Sequence, residues 1–233
     1  GNRYSDRELD LQLHVDNGRL ADRRALLTQL DNARSEEKAY EQLDHYSRMA
    51  ADMLLGSPVR DAYDLEKEDP KIRHMYGDHM GGQSLLLSRR LVEAGVPVVQ
   101  TLLSASDLAG GSGDNWDTHR NHFPKMKDRL LPVFDRSVSA LLTDLEMRGM
   151  LEETLVVLLT DVGRTPKVNG NGGRDHYPNV YSLAYAGGGI QGGQVYGASN
   201  KKGTEPAAGA CSPADIHATA FRAMGIDPRT ELH

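Results

Sequence analysis

A single cysteine, Cys211, stands among 233 residues. A disulfide framework within the chain is therefore excluded. That suits a reducing compartment, and equally an exported protein that needs no covalent staples. No apolar run reaches the length of a membrane-spanning helix, and no secretory signal pattern is visible. The chain starts Gly-Asn-Arg-Tyr without an initiator methionine, so we expect a processed or truncated piece whose parent can still carry a signal. A basic surplus is missing too. Lys and Arg number 27 against 33 Asp and Glu, for a formal net charge of −6. The global balance thus gives no support to a nucleic-acid partner. An anionic small molecule stays open, because a local metal ion or arginine cluster can dominate the field. There is no G-x-S-x-G elbow for a serine-hydrolase triad, no phosphate-binding G-x-x-x-x-G-K-[ST] and no internal repeat. The glycine-rich stretches are too short to be flexible linkers.

What is present is a helical beginning followed by alternating elements. Leu20, Leu26, Leu27 and Leu30, then Leu43, Tyr46, Met49 and Met53, recur at helical spacing and predict two helices. From Gly56 to Asp69 the segment is charged and bracketed by prolines, and we expect a connection. "GQSLLLSRRLVEAG" reads as an amphipathic helix stopped at Gly95. "VPVVQTLL" reads as a buried strand. In the next predicted helix Leu131, Phe134, Val138, Leu141, Leu142 and Leu145 form a core-facing stripe that ends at Gly149. "TLVVLL" is a continuous apolar run of the kind that a parallel sheet buries on both faces, and "VYSLAYAG" is the following strand. In "SPADIHATAFRAMGI", Ser212 can cap a helix, Pro213 suits its first turn, Asp215 suits its N-terminus and Gly225 stops it. The expected class is α/β, with a helical segment over 1–80 packed on a main α/β domain over 81–233.

Three loops carry the chemistry-bearing residues. Asp161 closes the apolar run "TLVVLL" with one residue between. It is either a ligand at the carboxyl end of a strand, where sites in open α/β sheets gather, or an acid solvated at a strand end. Asp117 and His119 alternate in "NWDTH". Such residues can point the same way and suit zinc or manganese, or they are a loop acid and a surface histidine. Trp116 would anchor that loop, and His122 is a spare imidazole beside it. Asp175 and His176 precede the strand at Val180. One can ligate while the other orients it or binds a second ion, or the histidine is simply satisfied near a turn. Arg164, Lys167 and Arg174 share the intervening loop, as forks for phosphate or sulfate or as charge balance for the acids. Gly187–Gly189 reads as a backbone requirement at a turn. His217 reads as structural, His74 and His79 have no assigned site, and Cys211 reads as a small buried or loop residue.

Taken in order, "WDTH", "RGMLEETLVVLLTDVGRTP", "GRDHYPNVYSLAYAGGGIQGG" and "SPADIHATAFRAMGIDP" closely resemble the bacterial family DUF1501, as does "LLLSRRLVEAGVPVVQ". That family is similar to sulfatases and so to the alkaline phosphatase superfamily. The resemblance implies an α/β sandwich with a mostly parallel central sheet and adjacent metal sites. It implies metal ligands at Asp117, His119, Asp161 and His176, with Asp175 as a ligand or orienter, and an anion-holding role for Arg164 and Arg174. Zinc is the leading metal, with manganese, magnesium and calcium behind it. The implied activity is metal-dependent hydrolysis of a small-molecule or glycan phosphate or sulfate ester, and the implied location is exported or periplasmic. Two departures bear on this. Val162 stands where the superfamily has a second His after the Asp, and no early strand with a metal-binding Asp and a nucleophile is found. The sheet would then be incomplete at its N-terminal side, with an edge that a partner or the missing segment covers. A degenerate, non-catalytic binding protein on the same fold is the alternative, and a purely structural ion-pair network is a third reading.

Overall fold

This computed structural model describes residues 57–104 and 115–230. The chain divides into two compact units, Gly1–Leu103 and Ser104–His233. The two helices expected before residue 56 lie outside the described residues.

Among the described residues of the first unit the helices are α1 (Ser57–Tyr63), α2 (Pro70–Tyr76) and α3 (Met80–Glu93), with a 3-10 turn at Leu65–Lys67. The segment expected as a connection is thus largely helical. Its prolines sit in the first turns of α1 and α2, where a missing N–H costs nothing and a fixed φ helps. Asp69 caps α2 by accepting from the Lys71 N–H at 2.7 Å. Ala62, Tyr76, Leu85 and Leu86 are buried. Glu68 is buried with them and paired to Arg89 and Arg90. Arg90 also donates to the backbone carbonyls of Asp61 (2.7 Å) and Ala62 (2.9 Å), which ties α3 to the end of α1. Satisfied on several sides, this buried charge avoids the several kcal/mol that a lone buried ion costs, on the order of 3–5 kcal/mol. Helix α3 stops where expected. Gly95 takes φ +92°, and the Gly95 and Val96 N–H groups return to the carbonyls of Val92 and Leu91. Beyond it, "VPVVQTLL" forms no strand, and Val98 and Leu102 are 69% and 62% exposed. An apolar run becomes a strand only beside a partner ladder, and none pairs with it among the described residues.

The second unit is built on a helical run from His122 to Met147. It comprises α4 (His122–Lys125), a π-helical turn (Met126–Leu130) and α5 (Leu131–Met147). Leu130, Val138, Leu141 and Leu145 are buried. Leu131, expected on the stripe, is exposed, and its neighbour Leu130 takes the inward place. The strands are β1 (Val156–Leu158), β2 (Gly163–Arg164), β3 (His176–Tyr177), β4 (Ala184–Ala186), β5 (Ala198–Ser199) and β6 (Pro206–Ala208), followed by α6 (Pro213–Ala223). Among the described residues they pair only antiparallel, as β1–β4, β2–β3 and β5–β6. The architecture is mixed α/β. The parallel pairing expected for "TLVVLL" is replaced by an antiparallel one, with Val157 opposite Tyr185, because the apolar run does not encode the direction of its partner. Helix α6 starts at the expected Ser212 cap, and Ser212 and Asp215 together form a capping box. No helix among the described residues is long and apolar enough to cross a membrane.

Candidate metal centre

Two loops build the site. The first, 115–121, leads into α4; the second, 165–175, joins β2 to β3. Trp116 stacks edge-on against Phe134 of α5, with ring centroids 6.0 Å apart, and so fixes the first loop. Thr118 is 1% exposed, and its Oγ1 lies 2.7 Å from Nδ1 of buried His122. Asp117 and His119, on either side of it, face outward together. The second loop joins the first through backbone. The Arg174 N–H donates to the Thr118 carbonyl (3.1 Å), while the carbonyls of Asn171 and Gly172 accept from Asn121 and His122 at the start of α4. A Cβ at position 173 would lie 2.0 Å from the backbone C and O of His119, so only glycine permits this approach.

The consequence is a cluster. Donor atoms of Asp117, His119 and His176 lie within 4.8 Å of one another. Asp117 Oδ1 is 3.0 Å from His119 Nε2 and 2.8 Å from His176 Nε2. The same oxygen accepts from Arg164 at 3.1 Å. The two imidazole rings sit 4.8 Å apart. On its other side His119 presents Nδ1 to Asp175 Oδ1 at 2.7 Å. Hydrogen bonding from His176, with help from Arg164, holds the Asp117 carboxyl below the usual carboxylate range. His119, then Asn169, do the same for Asp175. Burial, then the charges of Arg174 and Arg164, push the His122 imidazole down.

His119 decides what this arrangement can do. A neutral imidazole has one N–H and one lone pair, yet here a carboxylate oxygen faces each ring nitrogen. With the proton on Nδ1 toward Asp175, the unprotonated Nε2 lies 3.0 Å from Asp117 Oδ1. That contact is favourable only if a cation, a second proton or a metal ion, lies between them. Carboxylate, imidazole and metal in line is a recurrent arrangement of zinc sites. Tetrahedral ligands about 2.05 Å from zinc stand roughly 3.3 Å apart. The spacings from Asp117 Oδ1, 3.0 and 2.8 Å, lie a few tenths of an ångström below that, and all three ligand atoms fall within 4.8 Å of one another. Two histidines and an aspartate leave a fourth position open.

The other residues singled out in the sequence lie as follows. Asp161 is exposed and folds its carboxylate onto its own turn, accepting from the Val162 N–H at 2.8 Å and from Thr160 Oγ1 at 3.3 Å. It is not one of the three clustered groups. Asp175 touches His119 rather than joining the three. Arg164 lies at the cluster and is anchored on the Trp116 and Arg174 carbonyls. Arg174 directs Nη2 to the Pro166 carbonyl, sits 6.0 Å from the centre of the Phe123 ring, and keeps a buried Nε without a hydrogen-bond partner. Lys167 is exposed. Of the spare histidines, His79 caps α3 through the Gly82 N–H, His74 lies 3.8 Å from Asp78, and His217 is exposed on α6. Cys211 is an exposed loop thiol. Sequence reading missed Asn169, whose side chain binds both loops at once; an Asn among glycines signals a turn and nothing more.

No curated protein and no solved structure matches the chain. A family model does, that of a protein of unknown function (DUF1501), over residues 3–233. With nearly its whole length matched, the chain belongs to the DUF1501 family.

Proposed function

We propose that Asp117, His119 and His176 hold a divalent metal ion, zinc foremost with manganese, magnesium or calcium behind it. We further propose that the chain is a metal-dependent hydrolase-type domain for a phosphate or sulfate ester. The observation that carries the reading is His119, which has a carboxylate oxygen 2.7 Å from Nδ1 and another 3.0 Å from Nε2. A bound ion would supply Lewis-acid polarisation of an ester oxygen. The chain's own residues do the rest. His119 and His176 present Nε2 atoms toward one point, and Asp117 offsets the charge. Asp175 keeps the His119 proton on Nδ1. Arg164, held beside Asp117, and Arg174 of the loop that follows it would hold the anionic group and the charge that develops on it. In the same reading the domain is sulfatase-like and alkaline phosphatase-like. A mostly parallel sheet would then require a further segment or partner at an open edge, since the described strands pair only antiparallel, and the parent protein would be exported.

A second reading, a degenerate binding protein on the same fold, is favoured by Val162 in place of a histidine and by an Asp161 carboxylate turned onto its own backbone. The test is elemental mass spectrometry on protein purified without added metal, beside Asp117→Ala. Stoichiometric metal in the first, none in the second, and chelator-sensitive turnover of phosphate or sulfate esters are expected. Metal without turnover selects the binding protein. Absence of metal even after incubation with zinc, manganese, magnesium or calcium overturns both the site and the activity.

A further inference from the structure

We propose that Asn169 is a positioning residue of this centre, setting the orientation of His119 through Asp175; the inference rests on the metal-centre reading. Its side-chain amide works in two halves. Nδ2 donates to Asp175 Oδ1 at 3.0 Å and to the His119 carbonyl at 3.1 Å. Oδ1 accepts from the backbone N–H of Asn171 and of Gly173, each at 3.0 Å. One amide thus holds the carboxylate that orients the ring, the backbone that carries the ring, and the glycine packed against that backbone. The Asn169 N–H closes the turn by donating to the Gly173 carbonyl at 2.9 Å. Asp175 is itself fixed at its backbone, where its N–H donates to Thr165 Oγ1 at 3.1 Å and its carbonyl accepts from the Thr165 N–H at 2.9 Å. The carboxylate torsion is left for Asn169 to set. Asp175 Oδ1 receives both the Asn169 Nδ2–H and the His119 Nδ1 contact. Losing the first frees that oxygen to rotate away from the second. Outer partners of metal-bound histidines act in this way, through ring orientation and tautomer.

Asn169→Asp separates positioning from loop closure. It keeps an acceptor for the Asn171 and Gly173 amides and removes the Nδ2 donor. Its extra negative charge beside a cation site would by itself tighten metal binding, so the sign of the change is diagnostic. Zinc affinity, measured by competition with a chromophoric chelator, is expected to weaken by about 10–100-fold. Unchanged or tighter binding overturns the proposal. A second readout needs no metal. In long-range proton–nitrogen spectra of the metal-free protein, the His119 Nδ1–H should be resolved in wild type. It should be lost in Asn169→Asp and in Asp175→Ala. If wild type binds no zinc, the metal centre fails while this readout still judges Asn169. If Asp175→Ala loses the resonance and Asn169→Asp keeps it, Asn169 does not position the ring.

Discussion

His122 and His119 lie three residues apart and are treated oppositely by their surroundings. His119 is half-exposed between carboxylates. His122 is buried, bonded to Thr118 and repelled by Arg174 and Arg164, so that its imidazole sits below the ordinary 6.5. A depressed imidazole means that the unfolded chain binds the proton more readily. The stability it contributes is complete above about pH 6.5 and is lost as pH falls through the depressed value. His122→Gln keeps a polar partner for Thr118 and removes the titration. The urea midpoint of wild type should therefore fall more steeply than that of the variant between about pH 7 and pH 5. Parallel profiles would contradict the assignment. Asp117 and Asp175, held below the usual range, act in a lower window: their contribution is present above about pH 4 and fades beneath it. The residue scale was partly legible in sequence. An Asp and a His alternating in an extended loop face one way because of backbone geometry, and so do the structure's Asp117 and His119. Asn169 was not legible, since its meaning comes from two loops meeting and not from its neighbours in the chain.

At the scale of elements, helices were easier to read than strands. The stops at Gly95, Gly149 and Gly225 each show the same pair of returning hydrogen bonds, and the Ser212–Asp215 box is complete; these signals are local. Strand identity is not local. "VPVVQTLL" and "TLVVLL" have similar composition, yet among the described residues only the second finds a partner, and an antiparallel one. The proline-bracketed segment misled because proline marks helix starts as well as loops. Two glycines make a test. Gly95 has positive φ and open space around its missing Cβ, whereas Gly173 abuts the His119 backbone. Gly95→Ala should cost about 1–2 kcal/mol through φ alone and leave zinc binding as it was. Gly173→Ala should cost about 1–3 kcal/mol through overpacking and weaken zinc binding, because the backbone of His119 must move. Chemical denaturation and zinc titration of both variants check this; equal zinc affinity would mean that the loops tolerate separation.

For the whole molecule, the family and the mixed α/β class were legible from the order of motifs, because that order survives where each motif alone is weak. An ion bound only by the folded state must also appear in global stability. Zinc at a hundred times its dissociation constant should stabilise the chain by about 2.7 kcal/mol, raising the thermal midpoint of wild type and not that of Asp117→Ala. An equal rise in both would place the ion elsewhere. The pair Asp117–His176 spans 59 positions, and this has a topological consequence. A cation tying the two turns a linear chain into a ring with two tails. Should the tie outlast the melting of the rest, the unfolded molecule would remain circular over that stretch, with roughly 4 kcal/mol less loop entropy to lose when it refolds. The ion would then serve as a reversible counterpart to the cross-links that a chain with one thiol cannot make.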